Sequence, residues 1–220
     1  EFQFTAYIGQ YDGGDWNSTV RLVRNKIVTG SLPNLLYLMS EWSKEKIKTN
    51  YQNVEAIRLD DWDKIAATKP PFIFMTGTRD FKLTQKEVEN LRKYVRIGGC
   101  IWGDSSLPGL RSRFDIAFRR EMKRVIPDRD KDFEPLPSNH AIFTKGYFPE
   151  ITSVPAGLNF YRERVMAMKM YGEIAILYTS NDYGDMWQTG LNRQGQIDLR
   201  RDKNGQYVAI NPMIYQNRES

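Results

Sequence analysis

Aspartates recur beside glycines or other small residues in four segments of this sequence, and each segment directly follows a short apolar run. The segments are residues 11–16, 77–81, 103–106 and 180–183. Short apolar runs bounded by turn residues are typical of buried strands, so the four segments are predicted to be loops at strand ends. Together they carry five aspartates, namely Asp12, Asp15, Asp80, Asp104 and Asp182.

Carboxylates that converge in this way, together with Arg79, could bind a polar, hydroxyl-rich ligand or a hard cation. They could also supply a general acid and a general base if their surroundings separate their pKa values. The spacing matches no established metal motif, and we expect no bound metal or other cofactor. A structural explanation has equal weight, because turns and helix caps select Asp and Gly whatever the function.

Other polar side chains complete the predicted ligand-binding set. One of Arg119 and Arg120 is expected to reach back to a carboxylate, whereas the rest of that basic helix face is expected to be solvated. His140 is the only histidine, and its proline-rich surroundings favour a structural role over catalysis. The remaining members of the set are Trp16, Ser105 and Asn181.

Aromatic side chains stand in the same loops. Trp16, Phe81 and Tyr183 could stack on the planar face of a sugar or of another ligand. Core packing is the alternative for each of the three rings.

Cys100 is the only cysteine, so the chain can form neither an internal disulfide nor a multi-cysteine metal site. A Cys/His nucleophilic pair would have to combine Cys100 with His140. Cys100 begins an apolar run instead of ending one, which places it at the opposite edge of the sheet from the aspartates. It is therefore predicted to be dispensable for ligand binding.

Strands and helices alternate along the chain as they do in parallel sheets. A helix is predicted to begin near Pro33, with Leu32, Leu35, Leu36, Met39 and Trp42 on its apolar face. Another is predicted over residues 110–125, with an inner face that begins at Leu110. Strands are predicted at residues 5–9, 54–59, 72–75 and 100–104, and at 164–170 and 173–178 on either side of the turn Tyr171-Gly172.

One strand–helix–strand unit is especially clear. Its helix begins at a capping box formed by Thr84 and Glu87 and stops at Gly98-Gly99, between the strands at 72–75 and 100–104. Such a crossover is right-handed and joins parallel strands, so Asp80 and Asp104 are predicted at one edge of the sheet.

The composition indicates a globular chain, with 40% apolar and 27% charged residues among 220. We predict a single three-layer α/β domain over residues 1–220, with a parallel sheet and helices on both faces. It would include an irregular insertion at about 127–157 and a segment at 188–220 in which only 207–215 is predicted to form a closing strand or helix.

Charge and hydropathy exclude several classes of partner. The net charge of +5 is spread along the chain without a dense basic block, so no nucleic-acid partner is expected. The longest apolar runs are far shorter than the ~20 residues that a membrane span needs. The chain opens at Glu1 without a methionine, as expected of a shortened chain or of a secreted or periplasmic product that has lost its signal peptide.

Four segments and the surroundings of His140 carry a family resemblance. The segments are YDGGDW (11–16), LPNLL (32–36), TGTRDF (76–81) and FRREM (118–122). Together they resemble the bacterial family known as domain of unknown function 4159, across residues 4–187. That family is similar to the class I glutamine amidotransferase and trehalose-utilisation groups, which implies a flavodoxin-like sheet.

A departure from those relatives bears on function. Where an amidotransferase places its nucleophilic cysteine, in a Gly-x-Cys-x-Gly turn, this chain has Gly103-Asp104-Ser105-Ser106. Glutamine hydrolysis by thiolate attack is therefore not expected. Fold analogy by itself assigns no function.

The leading hypothesis is a domain that binds a small polar or carbohydrate-like ligand at the strand ends, with Arg79 and Ser105 among its contacts. One alternative is a non-catalytic interaction module of a bacterial envelope assembly. Another is a divalent-metal-dependent hydrolase with oxygen ligands from Asp12, Asp15, Asp80 and Asp104.

Overall fold

A computed structural model describes residues 3–144 and 154–188 of the chain. In chain order the strands are β1 (Tyr7–Gln10), β2 (Val20–Val23), β3 (Lys26–Gly30), β4 (Glu55–Arg58), β5 (Ile73–Gly77), β6 (Ile101–Ser105), β7 (Glu134–Pro135), β8 (Met166–Met170) and β9 (Glu173–Thr179). The helices are α1 (Ser31–Trp42), α2 (Trp62–Thr68), α3 (Gln85–Arg96), α4 (Arg113–Val125), α5 (Ala141–Thr144) and α6 (Tyr183–Trp187).

Seven of the strands form a central sheet in the order β4-β1-β5-β6-β9-β8-β7. The first five in this order are parallel, and β8 and β7 continue the sheet with antiparallel pairing. Counted along the chain, the parallel strands follow the order 2-1-3-4-5, which is the order of flavodoxin-like sheets. The predicted α/β fold with a mostly parallel sheet is therefore confirmed.

Helices cover both faces of the sheet, because successive strand residues point to opposite sides. Phe74 and Trp102 point to the face that carries α1 and α6, where Leu32 and Trp187 are buried. The neighbouring Ile73 points to the other face, which α2, α3 and α4 cover with apolar side chains such as Ile65, Leu91 and Phe118. The core therefore consists of two apolar layers, one on each side of the sheet.

The predicted capping box sets the start of α3. The Glu87 backbone N–H donates to the Thr84 hydroxyl at 3.2 Å, and the Thr84 N–H donates to the Glu87 carboxylate at 2.8 Å. This helix joins β5 to β6, which pair in parallel from Ile73↔Ile101 to Gly77↔Ser105. The loops after β5 and β6 therefore leave the same edge of the sheet, as predicted.

Three elements lie in segments that the sequence patterns left unassigned. The hairpin of β2 and β3 turns at Arg24 and Asn25, whose φ angles of 51° and 64° are those of a type I′ turn. It lies between β1 and α1, after the predicted loop at residues 11–16. The short helices α2 and α6 are the other two elements. The helix α6 begins at Tyr183, the last residue of the predicted loop at 180–183.

Two residues predicted on inner helix faces are exposed instead. Trp42 is the last residue of α1 and is 38% exposed, and Leu110 is 58% exposed. Leu110 departs from the expectation because α4 begins only at Arg113.

Residues 127–157 contain two short elements, β7 and α5, within the part of this insertion that the structure describes. Residues 145–153 and the predicted closing element at 207–215 lie outside the described residues. Among the described helices, none combines the length and the apolarity that crossing a membrane would require.

Candidate functional site

The strand order reverses between β1 and β5, so the loops that follow these two strands flank the position where open α/β sheets bind ligands. Asp15, in the loop after β1, connects them. Its Oδ1 accepts a hydrogen bond from the Thr78 N–H at 2.8 Å, and its Oδ2 accepts one from the Thr78 hydroxyl at 2.5 Å. One carboxylate therefore fixes the spacing of the two loops.

Glycines allow this close approach. A Cβ on Gly77 would lie 2.6 Å from the Tyr11 hydroxyl and 2.9 Å from Asp15 Oδ1, and one on Gly13 would lie 2.4 Å from the Lys82 carbonyl oxygen. Tyr11 itself is buried, and its hydroxyl donates to the Thr76 carbonyl at 2.7 Å. The two loops therefore pack as one unit, and only glycine is accommodated at their contacts.

Charged side chains line the solvent side of this unit. Asp12 is exposed and lies 3.6 Å from the Arg58 guanidinium. Arg79 is exposed and forms no hydrogen bond or ion pair with another described residue. We call the group Asp12, Asp15, Thr78 and Arg79 the switch-point surface.

A chain of three hydroxyls lies next to the switch-point surface and was not predicted from the sequence. The Ser106 hydroxyl is 2.9 Å from that of Thr76 and 3.1 Å from that of Ser18. It thereby links the ends of β5 and β6 to the loop after β1. The only sequence signal for this hydroxyl chain was that Ser106 directly follows the predicted site residue Ser105.

Ser105 does not point toward this surface. Its hydroxyl donates to the Leu107 carbonyl at 2.6 Å and accepts from the Leu107 N–H at 3.2 Å, so it closes its own turn. The structure therefore gives Ser105 a role in stabilising this turn, which is an alternative to the predicted ligand contact.

Asp104 is fully buried at the end of β6, although it lies at the predicted edge. Its Oδ1 accepts from the Thr179 hydroxyl at 2.7 Å and the Tyr183 N–H at 3.2 Å, and its Oδ2 accepts from the Gly184 N–H at 2.8 Å. Burial raises the pKa of this carboxyl, and the three hydrogen bonds oppose the rise only in part. Asp104 therefore holds the first turn of α6 against the sheet.

Asp182 is buried beside it and precedes α6 in a left-handed conformation, with φ 58°. Its Oδ1 accepts from the Asp185 N–H at 3.2 Å, whereas the buried Oδ2 has no hydrogen-bond partner among the described residues. Burial is the largest cause that raises the pKa of Asp182, followed by its interaction with the nearby Asp185 side chain and by the charge of Asp104. Asp182 therefore keeps its proton to higher pH than an exposed aspartate does.

The side-chain oxygen and amide of Asn181 are both hydrogen-bonded within the protein. Its side-chain oxygen accepts from the Glu163 N–H at 2.6 Å, and its amide donates to the Glu163 carbonyl and to the Tyr183 hydroxyl, each at 3.0 Å. The structure therefore places it as a tether between α6 and the segment before β8.

The two adjacent arginines of α4 diverge, because consecutive helical residues point about 100° apart. Arg120 donates to Asp80 at 3.1 Å and to the Phe81 carbonyl at 2.6 Å, on the β5 side. Arg119 donates from Nε to Asp115 at 3.0 Å on the β9 side. The expectation that one of them reaches a loop carboxylate holds for Arg120 and Asp80.

Two of the three aromatic candidates for stacking are core residues. Phe81 and Tyr183 are 1% and 0% exposed, so their rings are unavailable to a ligand and the stacking expectation is wrong for both. Phe81 packs on Tyr11 with ring centroids 4.8 Å apart. Trp16 is only partly buried, against both apolar layers.

His140 and Cys100 lie away from the switch-point surface. The His140 Nδ1 accepts from the Ile142 N–H at 3.1 Å at the start of α5, and burial together with Lys169 lowers its pKa. Cys100 is fully buried immediately before β6, at the opposite edge of the sheet. The structure thus separates the only cysteine from the aspartates, as predicted.

The five predicted aspartates therefore share an edge but not a cavity. Asp12 and Asp80 are exposed and paired with arginines, whereas Asp104 and Asp182 are buried beneath α6. No group of three or more His, Cys, Asp or Glu side chains within residues 3–144 and 154–188 is arranged to hold a metal ion. Solvent reaches this edge at the switch-point surface and at Asp80.

Comparison with known proteins places this chain in a family. A search of curated proteins found no significant match. A family model matches residues 6–216, which is nearly the whole chain and includes every residue of the switch-point surface. The chain therefore belongs to the family described as Domain of unknown function (DUF4159).

Proposed function

We propose that this domain binds a small, hydroxyl-rich ligand such as a carbohydrate at the switch-point surface. The supporting observation is the bond between Asp15 and Thr78 at the point where the strand order reverses. Open α/β sheets bind ligands at such points, outside the carboxyl ends of the strands. A loop pair held by a carboxylate offers a pre-formed surface, and pre-formed surfaces lose little entropy on binding.

The available groups suit hydroxyl recognition. Arg79 offers up to five N–H donors, and Asp12, whose side chain is 60% exposed, offers acceptor oxygens. A sugar hydroxyl both donates and accepts, so a guanidinium and a carboxylate at one surface can each bind a different hydroxyl of the same ring. Hydrogen bonds that involve a charged group are stronger than neutral ones, which favours such a pair.

Hydrolysis through a cysteine is not part of this proposal. The turn after β6 contains Ser105 and Ser106 where a glutaminase would carry its thiol, and the hydroxyls of both serines are bonded within the protein. Cys100 is buried at the far edge of the sheet. The proposed function is therefore binding without a thiolate nucleophile.

The test is thermal denaturation with a panel of monosaccharides, disaccharides and polyols. A ligand that binds only the folded state at 100 times its Kd stabilises that state by about 2.7 kcal/mol and raises the Tm. We expect at least one sugar to raise the Tm of the natural protein and to lose this effect in Arg79→Ala and Asp12→Asn. The matched control is Arg96→Ala, an exposed arginine at the end of α3.

Two results would contradict the proposal. One is the absence of any Tm shift across the panel, which would favour the interaction-module alternative. The other is a sugar-dependent shift that persists unchanged in both switch-point variants.

A further inference from the structure

A cavity lies on the other side of α4 from the switch-point surface. It has a volume of about 640 Å³, within the range of small-molecule sites. It opens between the start of α4 and the start of β8, where β9 ends. Its walls include Leu110, Arg111, Ile116, Arg119, Arg164 and Met166, and we call it the arginine groove.

The guanidinium of Arg119 is fixed in this groove. Its Nε donates to Asp115 at 3.0 Å, and its guanidinium carbon lies 5.2 Å from the ring centroid of Tyr178 and 5.7 Å from that of Phe133. Neither Nη atom donates to another described residue, so up to four N–H groups remain for a ligand. A guanidinium held in this way loses little side-chain entropy when it binds an anion.

Asp115 offsets the charge of Arg119 only, and both of its oxygens are already bonded. Oδ1 accepts from Arg119 and from the Tyr178 hydroxyl at 2.7 Å, and Oδ2 accepts from the Arg111 N–H at 2.8 Å. Arg111 and Arg164 are exposed and form no ion pair with another described residue. The lining has three guanidiniums against two carboxylates, Asp115 and Glu163. The groove therefore carries an excess of positive charge.

Apolar side chains form the rest of the wall. Leu110 and Ile116 are 58% and 51% exposed, and both line the groove. Tyr161, which is also exposed, lies beside Gly109, since a Cβ on that glycine would lie 2.8 Å from its ring. Exposed apolar side chains that line a cavity are typical of a binding site.

We propose that the arginine groove binds a small organic anion with an apolar body. Its oxyanion head, a carboxylate or a phosphate, lies among Arg111, Arg119 and Arg164. Its apolar body packs on Leu110 and Ile116. Guanidiniums bind both kinds of head through paired N–H donors, so the class of head is left to experiment.

Titration calorimetry with octanoate, octyl phosphate and octanamide tests the proposal. At least one of the two anions is expected to bind, and octanamide, which has the same chain but neither charge nor a sugar ring, is expected to bind at least tenfold more weakly. Inorganic phosphate is expected to bind more weakly than octyl phosphate, because it lacks the apolar body. The identity of the anion that binds distinguishes a carboxylate site from a phosphate site.

Substitutions then locate the site. Arg111→Gln and Arg164→Gln are each expected to weaken binding of the octyl anion about tenfold, and Arg96→Gln, at the end of α3, is expected to leave it unchanged. Ile116→Ser should weaken binding of the octyl anion and leave that of inorganic phosphate unchanged. These residues are exposed, so the variants are expected to keep the circular dichroism and Tm of the natural protein.

Three results would overturn the proposal. They are no binding of either octyl anion, equal affinity for octanamide, and binding that neither arginine substitution weakens. Arg79→Ala distinguishes binding in the arginine groove from binding at the switch-point surface. It is expected to abolish sugar binding and to leave the affinity for the octyl anion unchanged.

Discussion

The Asp15 carboxylate accepts both the backbone N–H and the hydroxyl of Thr78, at 2.8 and 2.5 Å, although the two residues are 63 positions apart in the chain. This contact joins the loops after β1 and β5, the two strands between which the sheet order reverses. Loops that leave neighbouring strands at such a point would otherwise diverge. The bond therefore maintains the geometry on which the proposed ligand site depends.

Asp15→Ala is predicted to destabilise the protein by about 2 kcal/mol, because hydrogen bonds to a charged group contribute ~1.5–3 kcal/mol each and this site is only partly buried. Thr78→Val removes the hydroxyl alone and should cost about half as much. Urea denaturation measures both, with exposed Asp130→Ala as the control. Equal stability of Asp15→Ala and Asp130→Ala would show that the bond contributes nothing.

Asp182→Asn is predicted to stabilise the protein at pH 8. Burial, the Asp185 side chain and the charge of Asp104 raise the pKa of Asp182 in the folded state. A group with a raised pKa contributes stability that is fully present below its unfolded pKa of about 3.9 and is lost as the pH rises through the folded pKa. Asparagine keeps the neutral form and tolerates the left-handed backbone.

Denaturation at pH 5, 6.5 and 8 tests this prediction. The natural protein should lose stability across the series, and the Asp182→Asn variant should lose less. At pH 8 the difference should be at least about 1 kcal/mol, since one pKa unit corresponds to ~1.4 kcal/mol. Asp130→Asn is the matched control, and a parallel pH profile for all three proteins would contradict the assignment.

Glu121→Ala is predicted to cost roughly 3 kcal/mol, because it leaves buried donors without their carboxylate. Glu121 is 1% exposed and accepts from the Leu83 N–H at 2.7 Å and from Arg120 and Arg124 at 3.0 and 2.5 Å. Glu121→Gln keeps an acceptor for Leu83 and should cost less. A loss no larger than that of exposed Glu89→Ala, measured by urea denaturation, would be inconsistent with this role.

Cys100→Ser is predicted to retain any sugar binding found at the switch-point surface and to lose about 1 kcal/mol of stability, because it buries a hydroxyl. The thiol is fully buried, so it should react with a thiol reagent only slowly until the protein is unfolded. Rapid modification of the native protein, or loss of sugar binding in a folded variant, would reassign Cys100 to the site.

Local sequence signals determined several features of the fold. The capping box of Thr84 and Glu87 fixed the start of α3, and the turn Tyr171-Gly172, with φ angles of 53° and 78°, fixed the hairpin of β8 and β9. These signals work because they involve residues a few positions apart. Crossover handedness then placed Asp80 and Asp104 at one edge of the sheet, as the parallel pairing of β5 and β6 confirms.

Other local elements gave weaker signals. The β2–β3 hairpin turns on Arg24-Asn25, a pair less distinctive than Asn-Gly, although both residues adopt positive φ. The helix α6 has only five residues, too few for a helical period to be recognised. Its first turn is held by Asp104, which is 79 and 80 positions away from Tyr183 and Gly184.

Only the tertiary structure decided which aspartates face solvent. The sequence places Asp12, Asp80, Asp104 and Asp182 in equivalent positions after strands, yet the fold exposes the first two and buries the last two beneath α6. It likewise separates Arg119 from Arg120. Burial, pKa and ion pairing depend on which distant segments pack over a residue, and no local pattern contains that information. The sequence alone determined six of the seven strands of the central sheet, the principal helices and the edge of the sheet, because these follow from short-range periodicity and chirality.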